Sequence, residues 1–240
     1  MDTTTRPPVR SDTRPLRDAL VVPYVDADAG AVRAIFAETV VLGSPAPVDP
    51  DTLDGYARLC LDWYLGPGAR HARVVLQDGE VVGYLLACLD QTAYDRWVRP
   101  RAVRWALGAA RRAATGRLRG ASATFVRLRV LDGVGALRHG VAPPFPAHGH
   151  LNLTARVRDG RIGHRLAAEM DRMVAEAGLA GWFGEVNVPA GRSLAAIERA
   201  GARVVHRVPS RTFSWLAGTA VERATVARPL AARTDSVDRV

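Results

Sequence analysis

Between His148 and Gly178 the apolar positions change period. In HGHLNLT, His148 to Thr154, polar and apolar residues alternate, the pattern of a half-buried strand. RVRDGRIG follows as an Arg/Gly-rich turn. From there the apolar residues fall at Ile162, Leu166, Met170, Met173, Val174 and Ala177, one face of a helix. A strand, a glycine-containing turn and a helix together point backbone N–H groups and a positive helix end at a phosphate.

The remaining pattern reads in order. Residues 1–18 are polar and aperiodic, the composition of a disordered tail. Ala19 to Val25 predicts a first strand. Asp26 or Asp28 can cap a helix with Val32, Ile35, Phe36 and Val40 on its apolar face. Asp51 is positioned to cap a second, carrying Leu53, Tyr56, Cys60 and Trp63. ARVVLQDGEVVGYLLACL is a hairpin turning at Asp78-Gly79, because a tight two-residue turn needs positive φ at both central positions. Both arms are β-branched and apolar, which predicts central strands. Gln91 to Ala114 is helix-like, with Pro100 as a kink or boundary. Ala123 to Leu131 predicts a strand with Arg127 and Arg129 on one face. Trp182 to Val188 predicts a strand, and Ser193 to Ala200 a short helix. Ala202 to Val208 and Arg211 to Leu216 predict two closing strands. Residues 219–240 weaken into a polar tail in which VERATVARPL could hold one more edge strand.

Composition narrows the function classes. The chain of 240 residues is 48% hydrophobic, ample for a sizeable core. No apolar run is long enough to span a membrane, and the N-terminus lacks the apolar centre of a signal peptide, so a cytoplasmic protein is expected. Cys60 and Cys88 sit in apolar neighbourhoods and predict buried free thiols. His71, His139, His164 and His206 are scattered, and no metal is expected. The net charge of +9 suggests an anionic partner, but all 33 basic residues are arginine. Absent lysine with heavy Ala, Gly and Val use is the mark of a GC-rich genome, so overall basicity does not argue for nucleic acid. Arginines do cluster between Arg96 and Arg119, interleaved with Trp97 and Trp105. Such a stretch is either a basic surface for an anion or a solvated helix face with its tryptophans packed inward; the second is expected.

The predicted order, β-α-α-β-β-(insert)-β-α-β-α-β-β, resembles the GNAT superfamily of acyl-CoA-dependent N-acyltransferases over residues 19–218. PAHGHLNLTARVRDGRIGHRL resembles the GNAT subgroup with a His-x-His-x-Asn/Asp strand before the cofactor turn and an insert, here 91–145. EVNVPAGRSLAAIERAGA resembles the segment that follows. The resemblance implies an α/β (α+β) fold. Its central sheet is mixed and mostly antiparallel, with splayed fourth and fifth strands, flanked by about four helices plus a helical insert. It implies a single domain over 19–218. It also implies acetyl-CoA as cosubstrate, a small-molecule amine acceptor, and homodimers paired through C-terminal strands. Leu153, Thr154 and Ala155 would meet the pantetheine arm. Arg158, Asp159, Gly160, Arg161, Ile162, Gly163 and His164 would meet the pyrophosphate. This sequence departs from the family pattern at Arg161, where a glycine is usual, at Ala190 for an Asn, at Ile197 for a Tyr and at Ala202 for a Phe.

The residues themselves carry the rest of the chemistry. Direct acetyl transfer needs a base for the amine proton, a donor for the oxyanion and a proton for the departing thiolate. His148, His150 and Asn152 lie at i, i+2 and i+4 and share a strand face opposite Gly149, Leu151 and Leu153. That face either opens on the acceptor, with a histidine near its normal pKa as base and Asn152 as substrate contact, or only shapes the pocket. Glu185 is a second base, or an exposed edge carboxylate. Ser193 or Tyr84, or water, would protonate the thiolate. Three readings result: an acetyl-CoA-dependent N-acetyltransferase, a degenerate domain that keeps the fold for binding or regulation, and, more weakly, nucleic-acid binding through 96–119.

Overall fold

The computed structural model describes residues 19–139, 142–157 and 160–230, apart from the side chain of residue 139. Three strands form the sheet's first half. β1 (Leu20–Pro23) pairs antiparallel with β2 (Ala72–Gln77), and β2 with β3 (Glu80–Cys88). The β2–β3 turn is the predicted one: Asp78 and Gly79 have φ of 52° and 79°. Between β1 and β2 lie α1 (Ala29–Thr39) and α2 (Pro50–Leu61). The cap of α2 is Asp49 rather than Asp51: its carboxylate accepts from the N–H of Thr52 at 2.8 Å, and Pro50 fills the first helical position, where no N–H is needed.

The insert is helical throughout. α3 (Gln91–Ala114) runs through Pro100 without ending. α4 (Gly120–His139) covers the segment read from sequence as a strand over Ala123 to Leu131. The local alternation of TFVRLRV misleads there. What governs is a longer helical period that turns Ser122, Phe125, Val126 and Arg129 inward, with Phe125 wholly buried. Arg127, paired with Arg129 in the strand reading, instead faces solvent.

The second half of the sheet follows. β4 (Ala147–Leu153) pairs antiparallel with β3, and α5 (Arg161–Glu176) leads to β5 (Gly181–Pro189). α6 (Ala195–Arg199) leads to β6 (Arg203–Pro209), α7 (Arg211–Ala217) and β7 (Val221–Pro229). The strand order is β1-β2-β3-β4-β5-β7-β6. Two expectations are corrected. Arg211 to Leu216 is helix, because Ser210 caps it and the Asp132 carboxylate from α4 accepts from the N–H groups of Arg211 and Thr212. VERATVARPL is no edge strand of a tail: β7 lies inside the sheet between β5 and β6, with Ala224 and Ala227 fully buried.

The sheet separates two cores. On one face α1, α2 and the insert pack Val32, Phe36, Tyr56, Leu61 and Phe125 against Tyr84 and Leu86. On the other, α5 packs the predicted stripe of Ile162, Leu166, Met170, Met173 and Val174 against Val75, Leu85 and Ala87. No helix of the described residues is long and apolar enough to cross a membrane.

Candidate functional site

β4 and β5 run parallel and pair only at their start, Ala147 with Trp182 and His148 with Phe183. Beyond that point the strands part. β4 leaves its β3 partners intact through Leu153, so the gap opens on the β5 side alone. Two cavities meet at this gap. The larger, about 1010 Å³, lies on the α1/α2 face; the smaller, about 400 Å³, lies on the α5 face. Gly149, Leu151, Gly184, Glu185 and Val186 line both.

The alternation of β4 decides which side chains go where. Tyr84 faces Asn152, Leu86 faces His150 and Cys88 faces His148 across the β3–β4 ladder. His148, His150 and Asn152 therefore point to the larger cavity, and Glu185 joins them from β5. The three residues of the predicted polar face and Glu185 thus line one cavity.

The histidines are not near their usual pKa, as the sequence reading had them. Burial, and for His148 also the neighbouring His150, pushes both down to about 4. His148 Nε2 is 2.6 Å from the Tyr64 hydroxyl, and its Nδ1 is buried without a partner. His150 packs among the rings of Phe36, Tyr64 and Tyr84, with Nε2 buried and unpartnered. Asn152 donates from Nδ2 to the Tyr84 hydroxyl at 2.8 Å. Glu185 is the exposed member, 3.6 Å from Arg223 on β7. Asn187, one strand step beyond, keeps a buried Oδ1 with no partner.

Three arginines and two acids also reach the larger cavity: Arg129, Arg192 and Arg223, with Asp95 and Glu185. Arg129 and Asp95 come from the insert. Asp95 was not singled out from the sequence, and Arg129 was read there as sharing a strand face with Arg127; the helical spacing of Arg129, Gly133 and Ala136 was the available signal.

The α5 side is apolar and narrow. Gly160 caps α5 with φ of 88°, a left-handed conformation that costs a side chain but not glycine. The turn glycine is therefore Gly160, and Arg161 is the exposed first residue of the helix. Gly160, Gly163 and His164 line the smaller cavity, so the N-terminal end of α5 opens onto it. A Cβ built on Gly163 would meet no protein atom within 4 Å and would enter open space. These features fit a pyrophosphate-bearing cofactor.

Other predicted cofactor residues are arranged differently. Leu153 lines the larger cavity. Ile162 is core, 1% exposed. Thr154 donates its backbone N–H to Val82, and Ala155 starts a short 3-10 turn, Ala155–Val157, so neither continues the open strand edge. The edge beside the gap runs through Gly149 and Leu151. Arg158 and Asp159 lie outside the described residues. Of the proton donors considered for a thiolate, Tyr84 is fully buried and Ser193 is exposed, and neither lines either cavity; Ile197 lines the smaller one. Among the described residues no three or more His, Cys, Asp or Glu gather as a metal site.

Solved structures superpose on this fold over most of the chain. Polyamine N-acetyltransferase from Drosophila melanogaster superposes with a TM-score of 0.58 at 13% identity, covering 89% of this chain and 100% of that one. This chain has the GNAT fold. A GNAT superfamily phosphinothricin acetyltransferase from Sinorhizobium meliloti, solved in complex with AcCoA, gives a TM-score of 0.51 at 19% identity over 89% of each chain. A GCN5-related N-acetyltransferase from Kribbella flavida gives 0.51 at 19% identity, over 88% of this chain and 98% of that one. No family profile matches the sequence, and no curated protein matches it. The GNAT fold is thus carried here by tertiary structure at low sequence identity.

Proposed function

We propose that this chain transfers the acetyl group of acetyl-CoA directly to the amine of a small-molecule acceptor, the two cosubstrates meeting from opposite faces of the sheet. One observation carries the reading: the β4/β5 gap joins two cavities that share Gly149, Leu151, Gly184, Glu185 and Val186. Solved proteins of the same fold act as N-acetyltransferases on a polyamine and on phosphinothricin, which supports it.

The first turn of α5, with Gly160, Gly163 and His164, would hold the pyrophosphate. The β4 edge from Gly149 to Leu151 would pair with the peptide-like pantetheine arm. Bound acetyl-CoA supplies an activated thioester. In the transfer, the amine nitrogen bonds to the acetyl carbon, the carbon–sulfur bond breaks, the amine gives up a proton and the thiolate gains one.

Glu185 is the best candidate to take the amine proton, directly or through water, because it lies on both cavities and is accessible. His148 and His150, uncharged above about pH 4, act as neutral walls whose free ring nitrogens can fix a water or the acceptor. Asn152 shares that wall. Ile197 has no proton to give, so the thiolate is protonated by solvent.

Calorimetry with acetyl-CoA, followed by thiol release across an amine panel, tests the proposal. Saturable binding and amine-dependent thiol release are expected. Absence of binding overturns the cofactor assignment; binding without thiol release overturns transfer in favour of a binding or regulatory domain.

A further inference from the structure

The larger cavity carries a cation that acetyl transfer does not use. Arg129 reaches its wall from α4, with the guanidinium 5.0 Å from the Tyr56 ring centre and 5.7 Å from that of Phe213. Only 20% of the side chain is exposed, and Nε is buried with no partner. Its ion pair among the described residues is with Asp132, at 4.0 Å, the outer limit of such a contact.

That carboxylate is already committed to α7. It accepts from the N–H groups of Arg211 and Thr212 at 3.1 and 3.0 Å, and from the hydroxyls of Thr212 and Ser210 at 2.8 and 3.3 Å. A carboxylate offers about four lone-pair positions, so Asp132 has little left for Arg129. Elsewhere in the cavity Arg223 faces Glu185, while Asp95 is held by Arg99 at 2.7 Å. Asp132 and Glu185 both lie within electrostatic reach of Arg129, but the first is tied to α7 and the second to Arg223, so neither fills its fork. A desolvated guanidinium without a full partner is costly unless something anionic fills its fork.

We infer that the acceptor amine also bears a carboxylate, which Arg129 binds; the inference rests on the acetyl-transfer reading above. The planar guanidinium matches a carboxylate in two parallel hydrogen bonds, and the Tyr56 and Phe213 rings beside it keep water away. With the carboxylate seated there, the amine is directed toward Glu185 and the strand gap. Compounds carrying only positive charge meet the same guanidinium as a repulsion.

The test uses matched pairs: L-phenylalanine with phenethylamine, and L-leucine with isoamylamine, plus the phosphonate analogue of phenylalanine. Each is titrated by calorimetry into the protein alone and with CoA, and into Arg129→Gln and Arg129→Lys. The carboxylated member is expected to bind at least about tenfold more tightly than its decarboxylated partner. Arg129→Gln should erase that difference, weakening the acid while the plain amine, freed of the repulsion, binds no more weakly than before, and Arg129→Lys should restore part of it. The inference is overturned if plain amines bind as well as the acids, if Arg129→Gln weakens both equally, if only the phosphonate binds, or if no member binds. Should Arg129→Gln fail to fold, the wild-type pairs together with Arg129→Lys decide, a carboxylate preference undiminished in Arg129→Lys overturning the assignment. Separate titration of acetyl-CoA distinguishes the two readings: carboxylate binding at Arg129 without acetyl-CoA binding sinks the transferase and leaves the anion site standing.

Discussion

The Tyr64 hydroxyl and Nε2 of His148 lie 2.6 Å apart with both rings buried, joining the segment after α2 to the strand that borders the cleft. Two residues along, His150 stacks between Tyr64 and Tyr84 with interplanar angles of 21° and 24°. A pair of imidazoles in an aromatic wall is stable only while uncharged.

That condition sets a pH dependence. Burial holds both histidines near 4 in the folded chain, against an ordinary value of 6.5. Between those values the unfolded chain binds more protons than the folded one, so stability falls as the pH is lowered through the window. By about pH 5 the loss is about 2 kcal/mol per histidine. Urea midpoints measured at about pH 7.5 and about pH 5 should fall further for the wild type than for His150→Gln. Equal falls would mean that other groups govern the acid side.

Glu185→Gln removes the carboxylate proposed as base without disturbing a buried partner, since Glu185 is half exposed and its contact with Arg223 is 3.6 Å. Acetyl-CoA affinity should stay within about twofold while kcat/KM for the amine drops by about 10²-fold or more. Steady-state thiol release against a fluorescence or calorimetric binding curve separates the two. An unchanged kcat/KM assigns proton removal elsewhere.

Gly163→Val tests the cofactor side. The space beside Gly163 is open, and valine is no worse than glycine in a helix, so thermal stability should be retained. The added side chain intrudes on the smaller cavity, and acetyl-CoA binding should weaken by about tenfold or more. Wild-type affinity in a folded Gly163→Val protein would remove the first turn of α5 from the cofactor site.

Asp171 on α5 ties that helix to the sheet. It accepts from Arg228 Nε and NH2 at 2.9 and 2.8 Å and from Trp182 Nε1 at 2.7 Å, with the Arg228 and Asp171 side chains 25% and 23% exposed. Asp171→Ala leaves both donors short of an acceptor and should cost about 2 kcal/mol in urea unfolding. Arg228 also lines the smaller cavity, so acetyl-CoA binding should weaken with it. A variant as stable as the wild type would show the pair to be screened by solvent.

The sequence by itself determined the elements whose stability is local or periodic. The Asp78-Gly79 turn, the α5 stripe and the alternation that puts His148, His150 and Asn152 on one side of β4 all follow from φ preference, a 3.6-residue period and a two-residue period. Tertiary structure decided the rest. Ala123 to Leu131 and Arg211 to Leu216 alternate like strands, yet both are helical, one because its inward face extends to Ala136 and the other because Asp132 caps it from another helix. No local pattern shows that β7 inserts between β5 and β6, since sheet order is set by long-range pairing. The same holds at the site. Which residues are polar was legible, but the depressed basicity of the histidines, the separation of Ile162 and Thr154 from the cavities and the arrival of Arg129 all depend on what the folded chain packs around them.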